Sequence, residues 1–384
     1  MTAVGGSPFG VAVSPDGRYA FVSGFYAFGS GLTRQVGGRG GSFVAVLSDR
    51  GFAPKVARTI SLGVPNAAGD ALTHDGRYLL VASGSGAAVI DVARAEAGKP
   101  HALLGFLTSP EPRNGALPAA VRRPGATVFP PGAFGSAIEV TVSPDDRFAF
   151  VSLEYQDEIA VFNLGRALAS GFGGSGYVGA VPLGQAVVGM AVAPDGRWLY
   201  ATSELAAGVR PKPGSGTLLG ADGTVSVIDL ARAETKPAAS VVSNALAGCG
   251  TVRVAVSPDG RVVWVTARQS DALLAFSAAE LVSDPKHALL ARVRVGEAPV
   301  GLAVVDDGAR IVVADSNRFN APGHTSGLTV VDSAAALAGK PALIGIARAG
   351  LFPRELALEP NGRTLLATNF ESGRVEALDL DRSN

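Results

Sequence analysis

Short apolar runs on either side of a polar turn recur along the chain and determine its predicted secondary structure. In the first copy, apolar residues flank the turn Pro15-Asp16-Gly17. Proline fixes φ at the first corner of such a turn, aspartate caps it, and glycine adopts a backbone conformation that other residues resist. The pattern predicts a β-hairpin. Its seven copies span residues 11–23, 70–82, 140–152, 190–202, 254–266, 302–314 and 356–368.

The strands of these hairpins are apolar throughout, as in Val262-Val-Trp-Val265, which is typical of strands buried on both faces. Each copy continues with a third apolar run and, in most copies, a fourth. In several copies a capped helical turn lies between them, because a good N-cap residue precedes an alanine-rich segment at Asp91, Asn163, Asp229 and Asp332. Units of four antiparallel strands, repeated roughly every 50 to 70 residues, predict an all-β protein, a seven-bladed β-propeller.

The ends of the chain predict how the ring closes. The seventh unit stops after its third strand, and Val4-Gly-Gly-Ser-Pro8 aligns with Val295-Gly-Glu-Ala-Pro299. We therefore expect the N-terminal segment, residues 1–5, to complete the last blade and cover an exposed sheet edge. Since only residues 1–4 remain for that strand, we also expect the natural chain to begin earlier, with a leader or more strand removed. The predicted single domain, 1–384, has blade cores near 8–62, 67–107, 137–183, 187–245, 251–295, 299–347 and 353–380 plus 1–5.

The repeat resembles that of the YVTN family of β-propellers. Thr224-Val-Ser-Val-Ile-Asp229, Gly296-Glu-Ala-Pro299 and Val254-Ala-Val-Ser-Pro-Asp-Gly-Arg261 match the family pattern, and the resemblance covers essentially the whole chain. It implies a propeller and, for the compartment, a periplasmic or secreted protein. It does not imply one activity, because relatives include lactonase-like hydrolases, cycloisomerases, surface-layer proteins, redox-enzyme domains and a periplasmic DNA-binding protein.

Composition narrows the range of partners. Lys+Arg and Asp+Glu balance at 33 each, which disfavours binding to nucleic acid, since polyanion binders normally carry a basic face. No apolar stretch is long enough to span a membrane. A single cysteine, Cys249, excludes an intrachain disulfide. The run Gly171-Phe-Gly-Gly-Ser-Gly176 does not open a helix after a strand, so it does not indicate a dinucleotide site, and we expect no cofactor.

Functional chemistry is predicted at the end of the ring opposite the Pro-Asp-Gly turns. The loops there are very unequal, and the long ones span residues 24–41, 108–137, 204–223 and 315–327. A regular scaffold does not need such loops, so they favour a binding role, although they could equally be disordered or only pack against the blades.

The repeat also serves as an internal control for site residues. Glycine precedes the inner strand in four blades, whereas the other three carry Glu139, Arg253 and Glu355, the last beside Arg354. Further polar residues unique to one copy stand at or near the ends of second strands. They are Glu154, Tyr155, Glu204, Arg268, Asp315, Asn317, Arg318, His324 and Asn369.

Carboxylates and guanidinium groups in a partly closed funnel can bind a polar anion and move protons. We assign candidate catalytic roles to Glu139, Arg253, Glu355 and His324. The candidate ligand-binding residues are Glu154, Glu204, Arg268, Asp315, Asn317, Arg354, Asn369 and Tyr155. Two alternatives stay open: the charges form salt bridges that tie blades together, or the carboxylates hold Ca²⁺.

Two functions follow. In the first, the channel mouth binds a small polar molecule, a carboxylate or a lactone, with hydrolase or isomerase activity in addition. In the second, a non-catalytic propeller offers its loops to a protein or a surface glycan. The aromatic residues that would suit the second function are Phe25, Tyr26, Phe28, Phe129, Phe134 and Phe319.

Overall fold

Seven four-stranded antiparallel sheets make up the structure, which confirms the predicted seven-bladed all-β propeller. The computed structural model describes residues 1–25, 41–48, 52–64, 66–110, 137–174, 176–208 and 221–381. In six sheets the four strands follow each other in chain order, from the innermost to the outermost. The seventh combines strands from the two ends of the chain.

The first four blades follow one another along the chain. Blade 1 contains β2 (Ser7–Val13), β3 (Tyr19–Phe25), β4 (Ser42–Ser48) and β5 (Lys55–Ser61); blade 2 contains β6 (Asp70–Leu72), β7 (Tyr78–Ser83), β8 (Gly86–Asp91) and β9 (Leu103–Thr108). Blade 3 contains β10 (Ala137–Val142), β11 (Phe148–Leu153), β12 (Glu158–Asn163) and β13 (Tyr177–Pro182); blade 4 contains β14 (Gln185–Val192), β15 (Trp198–Leu205), β16 (Asp222–Asp229) and β17 (Val241–Cys249).

The remaining blades continue in the same direction. Blade 5 contains β18 (Thr251–Val256), β19 (Val262–Ala267), β20 (Ala272–Ser277) and β21 (Leu289–Arg294); blade 6 contains β22 (Pro299–Val305), β23 (Arg310–Asp315), β24 (Gly327–Asp332) and β25 (Leu343–Arg348). Blade 7 contains β26 (Pro353–Leu358), β27 (Thr364–Asn369), β28 (Arg374–Asp379) and the N-terminal β1 (Thr2–Ala3).

The N-terminus closes the ring as the sequence predicts. Thr2 pairs with Val375 and Ala3 with Arg374, antiparallel to β28. The Val4 amide extends the pairing by donating to the Gly373 carbonyl at 3.1 Å. This two-residue strand is therefore the fourth strand of blade 7.

The hydrophobic core lies between neighbouring blades. Phe21 and Val44 of blade 1, for example, belong to the same buried cluster as Leu79 and Val81 of blade 2. Trp264, in the middle strand pair of blade 5, is wholly buried. The second and third strands are apolar throughout because each sheet packs on both faces.

Within the described ranges, five short helices connect third and fourth strands, and four of them begin at the predicted N-caps. The Asp91 carboxylate accepts a hydrogen bond from the Arg94 amide at 2.9 Å, and Asn163, Asp229 and Asp332 act in the same way. Ser277 caps the fifth. The helices are α1 (Val92–Ala97), α2 (Leu164–Ala169), α3 (Leu230–Ala233), α4 (Ala278–Ser283) and α5 (Ser333–Leu337), with 3-10 turns at Pro237–Ala239, Arg268–Ser270 and Asp306–Gly308.

A hydroxyl group at one position of the second strand joins neighbouring blades. Thr202 Oγ1 accepts from the Gly189 amide of its own blade at 2.9 Å and donates to the Val252 carbonyl of the next blade at 2.7 Å. The same pair of contacts is made by Ser23, Ser152, Thr266 and Thr368. These hydrogen bonds fix the level at which the inner strands begin, and the candidate site lies at that level.

Gly301, the third residue of the inner strand of blade 6, lies against the backbone of blade 7. A Cβ at Gly301 would lie far inside van der Waals contact of the Arg354 carbonyl oxygen. We expect Gly301→Ala to lower the free energy of unfolding by about 2–3 kcal/mol, because the two blades would have to separate. Urea denaturation measures this loss.

Gly345→Ala is the matched control for this substitution. A Cβ at Gly345, in the exposed strand β25, meets no atom within 4 Å, so this variant should change stability by less than about 1 kcal/mol. Equal effects of the two substitutions would contradict the role assigned to Gly301.

Candidate functional site

The three charged residues that replace glycine in the repeat meet across the central channel. Arg253 of blade 5 places Nε 3.1 Å from Oε2 of Glu139 in blade 3, and Nη2 2.5 Å from Oε1 of Glu355 in blade 7. The Arg253 side chain is only 5% exposed. The arginine thus clamps two carboxylates from blades that are not adjacent in the chain.

Electrostatic interactions keep Arg253, at the centre of this clamp, positively charged. Burial by itself would lower the pKa of Arg253, but Glu139 and Glu355 more than offset that effect and raise it above the ordinary value. Burial raises the pKa of Glu139 to about 8, although Arg253 opposes the shift. The Glu139 carboxyl can therefore hold a proton near neutral pH.

A second buried ion pair joins blades 4 and 5 at the ends of their second strands. Nη2 of Arg268 lies 2.8 Å from both carboxylate oxygens of Glu204. Both side chains are less than a tenth exposed. Like the Arg253 clamp, this pair satisfies its own charges and supports the salt-bridge interpretation.

Two arginines at the mouth lack such a partner among the residues that the structure describes. The Arg354 guanidinium carbon lies 3.5 Å from the centre of the Phe9 ring and 5.5 Å from those of Phe352 and Phe370. The Arg318 guanidinium carbon is 6.0 Å from the same Phe352 ring. Among the described residues, neither side chain forms an ion pair within 4 Å or a side-chain hydrogen bond.

Burial and like charges act together on these two arginines. Burial, followed by the positive charges of Arg253 and Arg318, holds the pKa of Arg354 well below its usual value. The surrounding side chains partly desolvate Arg318, although the residue is still exposed to solvent, and this lowers its pKa; Arg268 adds to that effect. An anion bound between Arg354 and Arg318 would relieve this repulsion.

Glu154 interacts electrostatically with both arginines, in addition to the paired carboxylates Glu204, near Arg318, and Glu355, near Arg354. It follows the last residue of β11, and in the described part of the chain it has no ion pair and no hydrogen bond from its side chain. Burial, aided by Glu204, raises the pKa of Glu154 to about 7, and Arg268, Arg354 and Arg318 oppose the shift. Tyr155, the next residue, is in electrostatic contact with Arg318.

Asp70 is a site residue that the sequence comparison passed over. It begins the second copy of the repeat, where the other six copies have Val11, Val140, Met190, Val254, Leu302 and Leu356. Its Oδ2 accepts from the Ser23 amide at 3.1 Å, while its buried Oδ1 has no hydrogen-bond partner in the described part of the chain. Burial raises the pKa of Asp70 to about 8, and Glu355 adds to the shift. The sequence feature that could have identified Asp70 is a polar residue at a position that is apolar in the other six copies.

Asp315 and Asn369 support loops at the entry to their own blades. The Thr329 hydroxyl donates to Asp315, and burial raises the pKa of that carboxyl to about 7. Asn369 Nδ2 donates to Glu376 at 3.3 Å. A Cβ on Gly296 would lie 2.5 Å from Asp315 Cγ, and one on Gly350 would lie 2.7 Å from Asn369 Cγ. Both side chains therefore pack under entry loops.

Asn317 and His324 organise the surface loop between β23 and β24. Asn317 Nδ2 donates to the His324 carbonyl at 3.0 Å, and Asn317 Oδ1 accepts from the Ala321 amide at 3.0 Å. The His324 side chain is 51% exposed, with Nδ1 3.4 Å from Glu297 Oε1. These contacts hold the loop that carries Arg318.

The other long loops predicted at the mouth fall mostly outside the described residues. These are residues 26–40, 111–136 and 209–220, which include Tyr26, Phe28, Phe129 and Phe134. Phe25 ends β3, and Phe319 is 48% exposed in the loop between β23 and β24.

The described ranges offer little support for a metal ion. They contain no group of three or more His, Cys, Asp or Glu residues arranged to hold one, so the Ca²⁺ interpretation has no geometric support among them. None of the described helices combines the length and the apolar character needed to cross a bilayer.

Comparisons with known proteins show the fold. No protein-family model and no curated protein matches the chain. Hydrazine synthase of Kuenenia stuttgartiensis is similar in structure, with a TM-score of 0.65 and 17% identity over 97% of this chain and 95% of that one. The β-propeller domain of Myceliophteria thermophila Cps50 (Swd1) gives a TM-score of 0.62 and 14% identity over 97% and 96%. At these identities the likeness extends to architecture alone, and the chain is a seven-bladed β-propeller.

Proposed function

We propose that the mouth of the central channel binds a small molecule that carries a carboxylate. One observation carries this proposal: Arg354 lies among three aromatic rings with no anionic partner among the described residues, whereas Arg253 and Arg268 are paired. A desolvated, unpaired guanidinium is costly to keep in a folded protein. A ligand carboxylate would compensate that cost through a bidentate, charge-assisted contact.

The same site suits proton transfer on the bound molecule. Guanidinium groups stabilise a developing oxyanion, and a carboxyl with a pKa of about 7, such as Glu154, can act as acid or base at neutral pH. The reactions that fit these groups are the hydrolysis or isomerisation of a lactone. We also propose that the chain belongs to the YVTN-repeat propellers and that the protein is periplasmic or secreted.

A protein-binding scaffold is the second candidate. Phe319 and Leu351, which is 60% exposed, place apolar surface near the same mouth, and such residues are common in protein interfaces. In that case, Arg354 would contact an acidic side chain of the partner instead of a small ligand.

Replacing Arg354 tests the small-ligand proposal. We expect Arg354→Met to weaken binding of gluconate, its lactone, pentanoate or glutarate by about tenfold to a hundredfold, the effect of losing one charged hydrogen-bonding group. Isothermal titration calorimetry with this panel is the measurement. Because methionine packs well against phenylalanine, the variant should melt at or above the wild-type temperature.

Arg374→Met is the control for this experiment. Arg374 is an exposed arginine of the same blade, so its loss should leave all affinities unchanged. If no carboxylate of the panel binds the wild type, or if Arg354→Met binds them equally well, the proposal fails.

A further inference from the structure

Three charged side chains at the mouth have no partner of opposite charge within ion-pair distance in the part of the chain that the structure describes. They are Glu154, Arg318 and Arg354. Two ion-paired groups account for Arg253, Arg268, Glu139, Glu204 and Glu355. Asp70 also forms no ion pair in the described ranges, but burial raises its pKa to about 8, so this carboxyl is largely uncharged at neutral pH. The unpaired set therefore presents two positive charges and one negative charge to whatever fills the mouth.

The two arginines lie near each other, because both guanidinium carbons approach the Phe352 ring, at 6.0 and 5.5 Å. Phe352 is buried, so its ring is a fixed contact that the two side chains share. Glu154 lies near both arginines, since it interacts electrostatically with Arg354 and Arg318, and it forms no ion pair within 4 Å with either of them.

From this arrangement we infer that the ligand is an acidic amino acid, with one carboxylate on Arg354, the other on Arg318 and its ammonium group on Glu154. The inference rests on the proposed binding of a carboxylate at Arg354 and adds the second carboxylate and the ammonium group. Two negative charges and one positive charge complement the three unpaired side chains. A monocarboxylate would leave Arg318 unpaired, and a plain dicarboxylate would place its negative charges beside Glu154 with nothing to compensate it.

The state of Glu154 agrees with this assignment. Its pKa of about 7 leaves the carboxyl partly protonated in the empty site. A bound ammonium group favours the carboxylate form, so glutamate binding at pH 7 should release roughly half a proton. Glutarate, which brings only negative charge, should instead cause proton uptake. Glu204 and Arg268 also face Glu154, but they neutralise each other.

Titration calorimetry tests the inference with a series of ligands that share the same five-carbon chain and differ in their charged groups. The probes are L-glutamate, 2-hydroxyglutarate, glutarate and pentanoate, with L-aspartate and succinate as the shorter pair. We expect the amino acid to bind about tenfold or more tightly than the matching dicarboxylate, and the dicarboxylate about tenfold more tightly than pentanoate. Titrations in two buffers of different ionisation enthalpy give the number of protons released or taken up.

Single substitutions assign each contact. Arg318→Met should bring glutarate affinity down to that of pentanoate, and Glu154→Gln should remove both the preference for glutamate over glutarate and the proton release. Melting temperatures verify that each variant is folded. Glutarate or 2-hydroxyglutarate binding as tightly as glutamate, or a preference that survives Glu154→Gln, would overturn the inference while leaving carboxylate binding intact. Failure of every acid to bind the wild type would overturn both proposals.

Discussion

Replacing Arg253 with methionine should lower the free energy of unfolding by about 3–5 kcal/mol at pH 8, because it leaves two buried carboxylates facing each other without a cation. Arg253 joins Glu139 of blade 3 to Glu355 of blade 7 at 3.1 and 2.5 Å. Without the arginine, the pKa of Glu139 would rise further above its value of about 8, because Arg253 opposes the effect of burial on this carboxyl. At pH 5 Glu139 is protonated with or without the arginine, so the loss of stability should be smaller there and should grow as the pH approaches and passes 8. Urea denaturation at the two pH values measures it.

Arg261→Met provides the comparison. Arg261 lies in a turn, its side chain is 85% exposed, and its nearest carboxylate oxygen is 3.9 Å away on Asp259. Its removal should cost less than about 1 kcal/mol at either pH. A loss below about 1 kcal/mol for Arg253→Met as well would show that Arg253 serves a ligand rather than the ring.

The architecture could be predicted from the sequence because the repeat that specifies one blade occurs seven times. Each Pro-Asp-Gly turn with its apolar flanks specifies one hairpin, and seven copies leave few alternatives for closing the sheet edges. The alignment of Val4-Gly-Gly-Ser-Pro8 with Val295-Gly-Glu-Ala-Pro299 was enough to predict that β1 completes blade 7. These features are local, so one sequence reveals them.

The site was only partly predictable because a repeat shows position and not orientation. Departures from glycine correctly singled out Glu139, Arg253 and Glu355, which meet across the channel. The same comparison could not separate alternate residues of a strand, which point to opposite faces. Asp315, which aligns with Ser203, was thus grouped with Glu204, although it packs under the loop at Gly296.

Which arginines are paired could not be read from the sequence at all. Arg268 and Arg354 were both predicted to lie at the mouth, yet Arg268 meets Glu204 at 2.8 Å, whereas Arg354 meets three phenylalanine rings. That difference depends on contacts between blades 4 and 5 in one case and blades 7 and 1 in the other. Only the closed ring determines such contacts.

Replacing Asp70 with asparagine should stabilise the protein at pH 8 by about 2–4 kcal/mol and have little effect near pH 4. Burial raises the pKa of Asp70 from 3.8 to about 8, so the folded state binds a proton that the unfolded chain releases. Such a group favours folding below the unfolded pKa, and its contribution is lost as the pH rises towards the folded value. The wild type should therefore lose stability between about pH 4 and pH 8, and Asp70→Asn should flatten that slope.

Asp75→Asn, in the turn of the same blade, is the control that separates this effect from a general effect of replacing an aspartate. Hydrogen bonds from Thr73 and the Arg77 amide outweigh burial and lower the pKa of Asp75, so its carboxylate favours the folded state above its pKa. Removing that charge should leave stability at pH 8 unchanged or about 1 kcal/mol lower, the sign opposite to that for Asp70. If Asp70→Asn is also destabilising at pH 8, Asp70 is a structural residue. A gain in stability would instead mean that Asp70 is placed in the channel wall at a cost to folding, which is expected of a group that serves binding.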